Sequence, residues 1–290
     1  MLKQCGYGLQ NGKRTYPAFA REFGKRRGIP IGVELEVGSA QTRWRSRIVD
    51  ISNDYYDDYG KYYNHWVNHH CDARNFMFST HRDGSVKAPD MELTFWPASA
   101  HHWRKLYPKL DTMFQKMFED GLSSGSGVYA GMHLHISRKN ARIEALFAIL
   151  YALSVKHDWW LGISGRTEPE FNRWCKCPDQ YLVDEAVTYF QVQNYALRHG
   201  SAANIEGGSR NTLELRVFSG TLDVVTFLAR IEFMELLYQA ADEVSQNWGT
   251  RREKNWFDPE MIANKINAKR SPNLAHAITI RNQPLYNLGL

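Results

Sequence analysis

The sequence predicts an α+β fold, and three observations predict it. Five short segments alternate apolar and polar residues with a period of two, whereas separate, longer segments repeat apolar residues every three or four positions. Turn chemistry falls between them, at Asp83-Gly84 and in the Ser/Gly-rich run Gly121 to Gly127. The 290 residues are enough to bury a sizeable core, and one large domain over 31–248 is the expected organisation, with a lead-in at 1–30 and a polar tail or lid at 249–290.

In chain order, residues 1–30 are Gly-rich and basic, with one short helix expected near Pro17 to Phe23. A strand follows from Ile31 to Val37. The stretch Ser39 to Cys71 is crowded with Asp, Tyr, Asn and His, shows no sustained period, and reads as a long functional loop. Phe76 to Thr80 and Met91 to Trp96 form two strands joined by the turn His81 to Ser85. A helix over about 100–119 places Trp103, Leu106, Leu110, Met113, Phe114 and Met117 on one stripe, and Pro108 kinks or splits it. Val128 to Ser137 is a strand and 141–160 a largely apolar, buried helix. Residues 161–185 read as irregular, 185–198 as a helix and Gly200 to Asn211 as a polar connection. The strand Thr212 to Ser219 and an amphipathic helix from Leu222 to Asn247 close the body, the latter with Phe227, Ile231, Met234, Leu237 and Tyr238 as its apolar stripe.

Composition narrows the function. A net charge of +5, from 36 Lys and Arg against 31 Asp and Glu, attracts anions such as ATP or an acidic metabolite, yet no basic block marks a nucleic-acid binder. The four cysteines make no disulfide framework for a chain of this length, and Cys175-Lys176-Cys177 is too closely spaced for a zinc knuckle, so reduced thiols are expected. Met1 to Arg14 lacks an apolar targeting core and the apolar run Ala145 to Val155 is too short to span a bilayer, which points to a cytoplasmic protein without membrane contact.

Three triplets share one design: Glu34-Leu35-Glu36, His133-Leu134-His135 and Glu214-Leu215-Arg216. Alternation along a strand puts both polar members on one face and the leucine on the other, and Glu92 repeats the pattern with a single carboxylate. If these strands share a sheet, the glutamates, histidines and arginine converge. Crowded carboxylates repel unless cations compensate them, so magnesium or manganese is the economical expectation. Each motif also has an ordinary reading: a solvated strand face for Glu34, Glu36 and Glu92, half-exposed histidines for His133 and His135, and an ion pair for Glu214 with Arg216. Asp83 serves as a turn residue. Arg198, Asn204 and Arg210 bracket a glycine-rich segment and suit a phosphate or carboxylate, though solvated loops use the same residues. His65, His69, His70 and Cys71 read as a loop cluster rather than a zinc site, and Trp159-Trp160 as core.

Together the segments Ile31 to Glu36, Asp83 to Ser85 with Glu92-Leu93-Thr94, Gly131 to His135 and Asn211 to Thr221 resemble the ordered motifs of the amidoligases. These are carboxylate-amine ligases of the glutamine synthetase and glutamate-cysteine ligase superfamily, common in bacteria and bacteriophages. The match covers about residues 30–240. The resemblance implies a curved antiparallel sheet with helices on its outer face, like the glutamine synthetase catalytic domain, holding ATP and magnesium on the concave side. It implies that Glu34, His133 and Glu214 hold one metal and Glu36 and Glu92 another, that His135 lies by the nucleotide, and that Arg216 contacts the phosphates. The activity it implies is ATP-dependent amide or isopeptide formation between a small or peptide carboxylate and an amine, through an acyl phosphate. A general base is sought among Asp50, Asp54, Asp57 and Asp58. The chain is shorter than glutamine synthetase and lacks a separate N-terminal domain, so substrate identity and homo-oligomeric assembly stay open. A metal-dependent phosphoesterase or nuclease, or a non-catalytic protein retaining the fold, are the competing expectations.

Overall fold

A computed structural model describes residues 9–10, 13–14, 28–38, 77–82, 91–119, 121–137, 141–178, 201–205, 212–246 and 259–280. The architecture is α+β, with antiparallel strand pairing and helices. The chain divides into two compact units, residues 1–131 with 220–224, and residues 132–219 with 225–290.

In the first unit, β1 (Ile31–Val37), β2 (Met77–Arg82) and β3 (Met91–Ala98) lie in the order β2-β3-β1. Both pairings are antiparallel, and β3 in the middle aligns Leu93 with Leu35 and Glu92 with Glu36. Two helices follow. Ser99 caps α1 (Ala100–Lys105), its hydroxyl accepting the His102 amide, and α2 (Tyr107–Glu119) begins after Leu106. The split is the one Pro108 demands: lacking an amide proton, it sits in the first turn of α2, where that proton has no helical acceptor. Leu110, Met113, Phe114 and Met117 are fully buried along α2, as the stripe predicts. Trp103 docks α1 by donating its indole N–H to the Ile31 carbonyl at 3.2 Å, with its ring edge-on to Phe95 at 5.8 Å. A two-residue ladder also pairs Leu9–Gln10 with Lys13–Arg14.

The second unit contains β4 (Gly131–Ser137, whose first residue belongs to the first unit), β5 (Ala203–Ile205) and β6 (Thr212–Ser219), in the order β4-β6-β5. Its helices are α3 (Ile143–Val155), α4 (His157–Ser164), α5 (Glu168–Trp174), α6 (Val224–Gln246), α7 (Pro259–Ala263) and α8 (Pro272–Ile280). Phe227, Ile231, Met234 and Leu237 are buried on α6 as expected, and so are Phe233 and Leu236. Phe233 packs against Trp159, Trp160 and Phe218, so both tryptophans belong to the core.

Several element boundaries differ from expectation for identifiable reasons. The strand expected from Val128 begins only at Gly131, because Ser126–Val128 form a 3₁₀ turn and Tyr129 has φ of 61°. The helix expected over 141–160 breaks at Lys156, whose φ and ψ of −125° and 44° are not helical. The segment expected to be irregular holds the end of α4 and all of α5. The signal for α5 is present in Thr167-Glu168-Pro169-Glu170: the Glu170 carboxylate takes both the Thr167 amide and its hydroxyl, at 3.1 and 2.9 Å, with proline in the first turn. In the tail, Glu232, buried on α6, accepts Asn273 Nδ2 and the Leu274 amide at 2.8 Å each, so α8 is tied down through its first turn. Among the described residues, no helix is long and apolar enough to cross a membrane.

Candidate functional site

In the first unit, Val33, Leu35 and Val37 of β1 are buried, which fixes the register and sends Glu34 and Glu36 to the opposite face. That face is not a solvated one: Glu34 and Glu36 are only 9% and 4% exposed. Across the ladder, Glu34 stands opposite Thr94 and Glu36 opposite Glu92. Glu36 is held from both of its ends. Its Oε2 accepts the Gly131 amide at 2.5 Å and its carbonyl accepts the Ser124 hydroxyl at 2.6 Å. Gly131, the first residue of β4, belongs to the same unit as Glu36.

The first unit also places a residue the sequence reading had put in a turn. Because β2 runs on to Arg82, His81 takes the register position opposite Glu92, and Ser79 the one opposite Thr94. Two polar rows therefore cross β1, β3 and β2: Glu34, Thr94, Ser79, and Glu36, Glu92, His81. Met77 to Arg82 has no apolar–polar alternation to announce this, its register shifts between Met77 and Ser79, and the turn chemistry of Asp83-Gly84 lies next to it.

In the second unit, the residues gather around Glu214, 4% exposed on β6. Its Oε1 accepts Arg216 Nη1 at 2.9 Å and lies 3.3 Å from Nδ1 of the buried His133, and its Oε2 accepts Asn204 Nδ2 at 3.2 Å. Asn204 reaches it because β5 pairs with β6 in a register that sets the two residues opposite one another. The guanidinium offsets the buried negative charge, and imidazole and amide take the remaining lone pairs, as a shielded carboxylate requires. Leu213, Leu215 and Val217 turn to the core, as the alternation predicts, while His135 is half-buried.

A second layer holds β6 from behind. The Cys175 thiol donates to the Arg216 carbonyl at 3.2 Å. Arg166 donates to the Val217 and Phe218 carbonyls at 3.2 and 2.9 Å, and buried Arg230 donates to the Ser219 carbonyl and, at 3.1 Å, to its hydroxyl. Gly165, with φ of 71°, leaves room for that guanidinium: a Cβ there would stand 2.9 Å from Arg230 Nη2. No periodic pattern announces these two arginines, since their acceptors are backbone carbonyls. Cys175 and Cys177 are free thiols, and burial, then the neighbouring Cys175, pushes the Cys177 thiol up to about 12.

Arg198, Arg210, Asp83, the aspartates at 50, 54, 57 and 58, and the cluster His65, His69, His70 and Cys71 lie outside the described residues. Among the described residues, the acidic and histidine side chains include groupings able to hold a metal ion. Carboxylate oxygens with imidazole nitrogens are a donor set shared by several divalent ions, manganese and zinc among them. No protein-family model and no curated protein matches the chain.

Proposed function

We propose that the protein is an ATP-dependent carboxylate-amine ligase with a glutamine synthetase-like catalytic fold, working with magnesium or manganese. The observation that carries the reading is the burial of Glu34, Glu36, His133 and Glu214 on strands, where a solvated polar face would have left them in water. Among the described residues, carboxylates and imidazoles include groupings that suit a cation. The amidoligase resemblance assigns Glu34, His133 and Glu214 to one metal and Glu36 and Glu92 to another. Bound divalent ions would supply charge neutralisation, letting a carboxylate approach a polyphosphate that otherwise repels it.

The chain's own residues have defined tasks in this reading. Glu34, Glu36, Glu92, His133 and Glu214 supply ligands. Arg216, always charged and already oriented by Glu214, faces charge developing on the transferred phosphoryl group, and His135 lies by the nucleotide. Asn204 keeps Glu214 in place. The substrate carboxylate takes the γ-phosphoryl group of ATP to give an acyl phosphate and ADP. The amine then attacks the acyl carbon, phosphate leaves, and the amine proton passes to a base.

The test is ADP release with magnesium across pools of amino acids and polyamines. Release that depends on both a carboxylate and an amine supports the ligase, and Glu36→Gln is expected to lower it by about 100-fold. ADP release untouched by that substitution, or phosphoester hydrolysis in place of ligation, overturns it. One observation favours a second reading, a protein that keeps the fold only to bind: Glu214 already has three protein partners. That reading expects no nucleotide affinity and a Glu34→Gln variant that behaves like the parent.

A further inference from the structure

The groups that hold Glu214 differ in how readily they can let go of it. His133 is enclosed, its side chain 5% exposed, and Asn204 is set opposite Glu214 by the pairing of β5 with β6. The Arg216 side chain is more open, 17% exposed against 5% for Glu214. Of His133, Asn204 and Arg216, it is also the one whose positive charge is permanent.

The main chain of Arg216 is pinned from both sides. Its amide donates to the Ala202 carbonyl at 2.8 Å, and its carbonyl accepts the Cys175 thiol at 3.2 Å. Arg166 holds the next two carbonyls, those of Val217 and Phe218. A rearrangement at Glu214 is therefore left to the long, jointed side chain of Arg216 and not to its strand.

Charge decides when that side chain moves. Glu214 Oε1 accepts Arg216 Nη1 at 2.9 Å and lies 3.3 Å from His133 Nδ1, so one oxygen already serves two groups. A divalent ion that took this carboxylate as a ligand would stand beside the guanidinium, and two cations so close in a shielded place repel strongly. The ion carries the larger charge and bonds the oxygen directly, so the guanidinium is the group that yields. Turned from Glu214, it keeps its charge and its forked donors, which match a phosphate.

We propose that Arg216 is a latch: it neutralises Glu214 in the ion-free protein and turns away when a divalent cation binds, so that its guanidinium receives a phosphate group only after the metal. The inference rests on the ligase reading for Glu214 as a metal ligand, but it is tested without turnover. Protein with ¹⁵N-labelled arginine is titrated with magnesium, the Arg216 Nε signal being the one missing from Arg216→Lys. A saturable shift of that signal is expected, and inorganic phosphate is expected to shift it again only once magnesium is bound. An Arg216 signal unmoved when calorimetry shows magnesium at saturation, or moved by phosphate equally well without the ion, overturns the latch. The reciprocal result is read with manganese: with the competing charge removed, Arg216→Gln binds the ion at least about tenfold more tightly than the parent. Equal or weaker affinity overturns the proposal, and should that variant fail to fold, the titration of the parent decides. A parent that takes up neither ion overturns the latch together with the metal reading. If magnesium moves Arg216 but no carboxylate and amine support ADP release, the ligase reading falls and the latch stands.

Discussion

Glu36 and Glu214 are both 4% exposed, both within a strand, and both proposed metal ligands, yet they are held differently. One bond on the Glu36 carboxylate comes from a backbone amide, that of Gly131. Those on Glu214 come from side chains: a guanidinium, a carboxamide and an imidazole. A backbone donor fixes position with little freedom to rearrange and brings no net charge. A side-chain set brings a cation and can regroup around a ligand. The comparison teaches that equal burial can rest on different donors: Glu214 has a guanidinium counter-charge among its partners, so its loss is felt first in stability.

The largest expected effect follows. Glu214→Ala strands the Arg216 charge and leaves His133 and Asn204 without their acceptor, and should cost about 3 kcal/mol by urea unfolding. A loss under about 1 kcal/mol would mean that this network is a surface-type pair and would break the contrast. Next, Gly165→Ala tests the support behind β6. A Cβ at φ of 71° and 2.9 Å from Arg230 Nη2 pushes against the guanidinium that holds Ser219, and about 2 kcal/mol should be lost in the same measurement.

A smaller effect is expected from Glu36→Gln. The amide oxygen can still accept the Gly131 proton, so stability should change by less than about 1 kcal/mol while manganese affinity by calorimetry falls at least about tenfold. Equal losses at Glu36 and Glu214 in both measurements would erase the distinction. The smallest concerns Cys177, near the strand's rear support. With its thiol raised from 9.0 to about 12, iodoacetamide labelling at pH 8 should run about a thousandfold slower than for an open cysteine. The sign for stability follows from a raised acid: the contribution is full below pH 9.0 and is lost as pH climbs towards 12.

The elements with strict alternation could be read from the residues alone. Ile31–Val37 and Thr212–Ser219 have the expected bounds, because a two-residue period with branched apolar side chains admits only one register against a core. The helix break near Pro108 was equally readable, since it follows from a missing amide proton. His81 was not. Its strand position depends on how far β2 keeps pairing with β3, and the Asp-Gly signal beside it argued for an earlier turn. Asn204 shows the same limit: a short strand in a polar, glycine-rich stretch has no period of its own, and only pairing with β6 brings it to Glu214.

By itself the sequence determined which strand residues share a face, because alternation is a property of the covalent backbone. It also determined the chemistry each polar face presents: carboxylates on Ile31–Val37, imidazoles on Gly131–Ser137, and a carboxylate with a guanidinium on Thr212–Ser219. Tertiary structure decided that Glu34, Glu36, His133 and Glu214 are buried and not washed by solvent, which amide holds Glu36, that Asn204 and Arg216 converge on one carboxylate, and that Tyr129 is held with a positive φ. The physical reason is distance along the chain. A hydrogen bond between residues 95 apart, such as Gly131 to Glu36, leaves no local pattern, since it arises only when long-range packing places donor and acceptor together.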